Sequence, residues 1–262
     1  MLVKEYKSKK LVEYLRDGMK VCIVFVHGLG DTFMFYPVFM KLQKLFPNVQ
    51  FTFYTENGQD EWFGSTSRNE ADYDIVFEIA FYCCEGIRPY VTKAEYCCKS
   101  EIGITFTPDM ELSYTPQTVA SPLVAVHFNS TCRPAQVGCN ERVAKLVWNG
   151  INQAGYIPIE THFIHNYSNS KNVKFSFVTN NVRDCKCHIE SIIGLIQHCR
   201  GFVGVASGPF CVAMTIFPQK VLLLKNSHDI KCFYKWQHNA LSMDISKGYD
   251  GGIFTQWLNS LK

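Results

Sequence analysis

The segment Lys20-Val-Cys-Ile-Val-Phe-Val-His27 is an unbroken apolar run that stops at Gly28-Leu-Gly30-Asp31. A strand with one wet face alternates polar and apolar residues. This one does not, so it reads as a parallel strand buried on both faces. Such a strand needs a crossover before its neighbour, and one follows at once. Phe35, Val38, Phe39, Leu42, Leu45 and Phe46 recur at helical spacing up to Pro47, and Val49-Gln-Phe-Thr-Phe-Tyr54 reads as a second strand. After a polar loop over 57–72, Tyr73-Asp-Ile-Val-Phe-Glu-Ile-Ala80 fits a third strand, and a short strand is expected near Ile102-Gly-Ile104.

Residues 107–122 carry Pro108, Pro116 and Pro122 with little periodicity, which marks a linker. Beyond it the pattern restarts. Leu123-Val-Ala-Val-His-Phe128 is a strand, Glu141 to Gln153 a helix closed by Gly155, and Tyr156–Phe163 and Val173–Val178 two further strands. Ile189–Cys199 is a helix. Phe202-Val-Gly-Val205 is a strand running into Ala206-Ser207-Gly208-Pro209, followed by a helix from Phe210, the strand Lys220–Leu224 and a last helix over 252–261. Strand–helix alternation twice over predicts an α/β protein with two Rossmann-like lobes, 1–118 and 119–262, whose parallel sheets face a central cleft. The last helix is a candidate to pack back on the first lobe.

Composition narrows the setting. Of 262 residues 47% are hydrophobic and 19% charged, which suits a packed core and excludes a disordered chain. The net charge of +3 neither requires nor excludes a polyanionic partner. Lys4, Lys7, Lys9 and Lys10 form the densest basic cluster and read as a solvated helix. No apolar run approaches the roughly 18 residues that span a bilayer, and residues 1–19 lack the apolar stretch of a signal peptide. The expected location is the cytoplasm, of a bacterium or of a phage-infected host. The twelve cysteines then read as reduced thiols. Cys83/Cys84, Cys97/Cys98 and Cys185-Lys-Cys187-His188 lack zinc-knuckle spacing, so no metal is expected.

Ligands of open parallel sheets sit beyond the carboxyl ends of the strands, where both glycine turns fall. Asp31 stands in the first turn of a helix, where the dipole favours a carboxylate. It reads either as a helix cap or as a base able to take a proton from a hydroxyl. His27 is the second candidate base, or a residue that merely closes its strand. Ser207 and Gly208 open a helix whose free amides suit a diphosphate, although Ser207 before Pro209 is also an ordinary helix start. Gly30, Asn129, Ser130 and Thr131 are further candidate phosphate contacts, and Arg133 is the nearest cation, either an accessory to a leaving diphosphate or an exposed loop residue.

Two segments carry a family resemblance. Gly28-Leu-Gly-Asp31-Thr-Phe-Met-Phe-Tyr-Pro37, followed by Leu42 to Pro47 and a strand, resembles the amino-terminal signature of the ADP-heptose:lipopolysaccharide heptosyltransferases, glycosyltransferase family 9, and Tyr73-Asp-Ile-Val-Phe is similar to that family's third strand. Phe202-Val-Gly-Val-Ala-Ser207-Gly-Pro-Phe-Cys-Val-Ala213, then Lys220-Val-Leu-Leu-Leu224, is similar to that family's donor-binding strand, turn and helix. The resemblance implies a GT-B fold and inverting transfer from a nucleotide-sugar, with Asp31 as catalytic base, Ser207 and Gly208 at the phosphates, and neither metal nor cofactor. The acceptor stays open: a surface glycan or lipopolysaccharide, a protein, or a hydroxylated base in phage DNA. The chain departs from the pattern at Ala206, where the family has Asp, and at Cys211, where it has His. The family's Lys-x-Trp-Pro segment is missing from 129–140.

Two other functions compete. One is a lobe pair that binds a nucleotide or a sugar without acting on it. The other is an α/β-hydrolase, which Val26-His-Gly-Leu-Gly-Asp-Thr32 also resembles. The serine of Gly204-Val-Ala-Ser207-Gly208 falls one place too late for the hydrolase elbow.

Overall fold

The computed structural model describes residues 2–3, 9–55, 69–81, 93–114, 121–129, 138–161, 175–180, 189–225 and 240–262. These fall into two compact units, one running to Leu112 and the other starting at Ser113. The expected sites at Ser130, Thr131 and Arg133, the cysteine pair 83/84 and the run 185–188 lie outside the described residues.

In the first unit the described elements are β1 (Leu2–Val3), α1 (Leu11–Tyr14), β2 (Lys20–Phe25), α2 (Leu29–Leu45), β3 (Gln50–Thr55), β4 (Ile75–Glu78) and α3 (Lys93–Cys97). The strands form one sheet in the order β1-β4-β2-β3, every pair parallel. β2 is buried from Val21 to Phe25, which is why its sequence shows no alternation. α2 covers the sheet through aromatic rings. Phe25 stacks on Phe35 with centroids 4.5 Å apart, and Phe39 lies 4.8 Å from Phe53 of β3. Pro37 stands inside α2, where a missing amide and a ring clash cost about 3 kcal/mol. Burial of Phe33, Phe35, Val38, Phe39 and Leu42 on the same helix offsets that loss.

The short strand expected near Ile102–Ile104 is absent. α3 continues instead into a wide helical turn, Cys98–Ile102, closed by hydrogen bonds from the Gly103 and Ile104 amides to the Cys98 carbonyl. Buried Cys98 and Ile102 lie one helical turn apart, with polar Lys99, Ser100 and Glu101 between them. Gly103 then reverses the chain at φ 91°, a left-handed conformation that favours glycine, so close to α1 that a Cβ would lie 2.7 Å from Val12.

The second unit contains β5 (Leu123–His127), α4 (Glu141–Gln153), β6 (Ile157–Glu160), α5 (Ile189–His198), β7 (Gly201–Gly204), α6 (Gly208–Ile216), β8 (Val221–Lys225), β9 (Leu241–Asp244) and α7 (Gly251–Ser260). Its sheet runs β6-β5-β7-β8-β9, again parallel throughout. α4 begins at Asn140, whose side chain accepts the Val143 amide at 2.9 Å, and buries Val143, Val147, Trp148 and Ile151 in the core. α7 adds Phe254 and Trp257 to the same core, and the Trp257 indole donates to the Lys220 carbonyl at 3.0 Å. Arg200 donates to the carbonyls of Leu261 and Lys262, capping the end of this helix.

The strand expected over 173–178 is not formed by its described part. Residues 175–180 make a turn, with the Val178 amide bonded to the Phe175 carbonyl. Phe175 and Phe177 stack at 5.3 Å and pack edge-on against Phe128. Their apolar alternation reflects this aromatic cover over the core and not a strand. β9, by contrast, carried no signal strong enough to be read.

Gly204 sits where β7 passes β5, and a Cβ there would lie 2.5 Å from the His127 carbonyl oxygen. That oxygen is fixed by its bond from the Val205 amide. Gly204→Ala is therefore expected to lower stability in urea unfolding by about 1–3 kcal/mol. Gly194→Ala, with open space inside α5, is expected to raise it by about 0.5–1 kcal/mol.

Candidate active site

The first glycine turn joins the carboxyl end of β2 to α2. Gly28 is the residue at the helix boundary and offers no side chain to cap it. Asp31 is not the cap. It lies two residues inside the helix, in the first turn, where the helix dipole stabilises a carboxylate. Its Oδ1 accepts a hydrogen bond from Lys93 Nζ at 2.8 Å. The lysine side chain is 4% exposed and that of Asp31 14%. The Lys93 ammonium also stands over the face of Phe81, 5.5 Å from the ring centroid.

His27, just past β2, is bound into the sheet's edge. Its Nε2 lies 2.9 Å from the Ile79 carbonyl and 3.1 Å from the Phe81 amide. A protonated Nε2 donates to Ile79 and a bare one accepts from Phe81, so either tautomer ties the end of β2 to the segment after β4. Phe25 packs on the ring at 4.6 Å. Burial lowers the His27 pKa, against smaller opposing effects from the Ile79 bond, Asp31 and Glu78, while Lys93 lowers it further.

The second glycine turn joins β7 to α6. Ser207 is the N-cap, its Oγ accepting the Phe210 amide at 3.4 Å, and is 8% exposed. Gly208 opens the helix and is buried, as is Cys211, whose amide bonds to the Ser207 carbonyl. Asn129 is buried just past β5. Beside it the structure gathers polar residues that sequence reading passed over. Thr161, past β6, is fully buried; its hydroxyl donates to the Val126 carbonyl at 3.1 Å and lies 3.4 Å from His127 Nδ1. Glu160 at the end of β6 is fully buried too.

Lys93 is the main omission of the sequence reading. It sits in an unremarkable stretch, and only burial against α2 distinguishes it from the chain's surface lysines. Among the described residues no three His, Cys, Asp or Glu side chains come together as a metal site, and no helix is long and apolar enough to cross a membrane.

The two parallel sheets with their crossover helices form a GT-B fold, matching that of the heptosyltransferases. Among solved structures, the chain is similar to Escherichia coli ADP-heptose lipopolysaccharide heptosyltransferase II, at 12% identity and a TM-score of 0.60, over 93% of this chain and 97% of the other. It is similar to a family 9 glycosyl transferase from Veillonella parvula, at 12% identity and a TM-score of 0.58, over 92% and 90%. It also matches the iron-containing dodecameric glycosyltransferase TibC of enterotoxigenic E. coli, at 16% identity and a TM-score of 0.53; 80% of this chain is covered, and it spans 59% of the TibC chain. No protein-family profile and no curated protein sequence matches the chain. At these identities the likeness establishes the fold.

The lowered His27 pKa has a sign that can be tested. The unfolded chain binds a proton at an ordinary histidine value of 6.5, before the folded chain does. The stabilising contribution is thus present above 6.5 and is lost as the pH falls through the lower, folded value. Thermal unfolding is expected to show stability declining more steeply below pH 6.5 in the native chain than in His27→Gln.

Proposed function

We propose that this chain is an inverting glycosyltransferase that moves a sugar from a nucleoside-diphosphate sugar to an acceptor hydroxyl. The observation that carries the proposal is the partly exposed Asp31 carboxylate, held in the first turn of α2 at the carboxyl end of β2 within a GT-B fold. Neighbours of that fold are glycosyltransferases, and one is described in complex with ADP-D-beta-D-heptose.

In the proposed step the acceptor O–H gives its proton to Asp31. The acceptor oxygen attacks the anomeric carbon from the face opposite the leaving group. The bond from that carbon to the diphosphate oxygen breaks, the nucleoside diphosphate departs with the electron pair, and the anomeric configuration inverts. Asp31 afterwards returns its proton to water. On the donor side, the α6 amides at Gly208 and the Ser207 hydroxyl suit the diphosphate, and Asn129, Ser130, Thr131 and Gly30 are proposed as further contacts. Arg133 is the proposed cation for the charge that builds on the leaving group. His27 is assigned to holding the turn before Asp31 and not to proton transfer, because its Nε2 is engaged by the sheet edge.

The proposed reaction uses no metal or other cofactor and takes place in the cytoplasm. The acceptor classes remain a surface glycan or lipopolysaccharide, a protein, or a hydroxylated base in DNA. Ala206 and Cys211, where the heptosyltransferase signature has Asp and His, favour a donor other than ADP-heptose, and they also give weight to a protein that only binds a nucleotide or sugar.

A panel of nucleoside-diphosphate sugars, ADP-heptose included, followed by release of nucleoside diphosphate, tests this directly. Asp31→Asn is expected to lower turnover by about 100-fold or more while donor affinity stays within about threefold. Full activity in that variant would reduce Asp31 to a structural residue, and no release from any donor would leave a binding protein. Turnover is expected to survive EDTA unchanged; its loss on chelation and return with added metal would overturn the metal-free step.

A further inference from the structure

Lys93 sits where physical chemistry disfavours a cation. Its side chain is almost wholly shut from water, so the ammonium has lost its hydration. It also lies at the amino-terminal turn of α2, whose dipole repels positive charge. An apolar side chain paired with a neutral residue at position 31 would fill the space without either penalty. What the lysine supplies instead is a directed contact. Nζ binds Oδ1 of Asp31 at 2.8 Å, and among the described residues Oδ2 accepts no hydrogen bond.

The lysine is also delivered by packed structure. Ala94 and Cys97 of α3 are buried, and the following turn is anchored by buried Cys98 and Ile102 and by Gly103 against α1. The Phe81 ring holds the ammonium on another side. A carboxylate gripped through one oxygen cannot rotate freely, and its second oxygen keeps a fixed direction.

We propose that Lys93 is a positioning residue for sugar transfer: it pins Oδ1 of Asp31 so that Oδ2 is presented to the acceptor hydroxyl. This rests on Asp31 being the base proposed above. In the step, the acceptor proton goes to Oδ2 while Oδ1 keeps the hydrogen bond from Lys93, so the lysine neither gains nor loses a proton and touches no substrate.

The test uses the full chain and whichever nucleoside-diphosphate sugar of the panel releases its nucleotide fastest. Lys93→Met frees the carboxylate to rotate. Lys93→Arg keeps the charge but offers a fork of N–H donors able to occupy both oxygens. Both variants are expected to keep the donor KM within about threefold and to lose about tenfold or more in kcat. Asp31→Asn/Lys93→Met is expected to be no slower than Asp31→Asn alone.

An ion pair that served only stability would leave kcat of a folded Lys93→Arg near that of the native chain, and that result overturns the proposal. If only one variant melts as a folded protein, that variant decides. Failure of both to fold assigns Lys93 to stability and equally overturns it. An active Asp31→Asn removes the base itself, whereas an inactive Asp31→Asn beside a fully active Lys93→Arg removes only the positioning role.

Discussion

Parallel strands buried on both faces cannot be joined by tight turns, and this constraint arranges the rest of the molecule. Each strand must be reached by a crossover, so all strands of a sheet run the same way and end on the same edge. In the first unit β2 and β4 end side by side, and His27 bridges the segments that follow them. In the second unit β5, β6 and β7 end together, which brings Asn129, Thr161 and Ser207 to one edge although they are far apart in the chain. The strand interiors take only apolar residues, so the chain's usable polar chemistry collects where the strands stop.

Electrostatics at the head of α2 pull in opposite directions. The dipole stabilises Asp31 there and destabilises Lys93. Their mutual attraction, with the face of Phe81, has to compensate for stripping water from the ammonium, and buried ion pairs generally return little net stability. The contact itself is directional: Oδ1 is held, and among the described residues Oδ2 accepts no hydrogen bond. In the second unit the corresponding turn carries no charged side chain, since Ala206 and Cys211 flank Ser207 and Gly208. What that turn offers a ligand is backbone amides at the start of α6 and the Ser207 hydroxyl.

Local patterns were enough for much of this. The buried run before Gly28 and its restart at Leu123 imply two parallel sheets, and the structure has them. The helix over Glu141–Gln153, the cap at Ser207 and the position of Asp31 in a first helical turn follow from period, cap chemistry and the residues beside them. In two places long-range packing outweighs local pattern. Phe175 and Phe177 alternate as a strand would, yet cover a core; Ile102-Gly-Ile104 looks like a short strand, yet Cys98–Ile102 winds into a helical turn.

By itself, then, the order of residues determined the class of fold, the two glycine turns and the candidate base, because each is a matter of neighbours within a few positions. Only the folded chain decided that His27 is held by the sheet edge, that Thr161 meets His127, and that a lysine 62 residues from Asp31 is its partner. Burial and ion pairing between distant segments depend on how α3 packs against α2. No local periodicity or composition encodes that contact, because the energy that selects it exists only once both helices are in place.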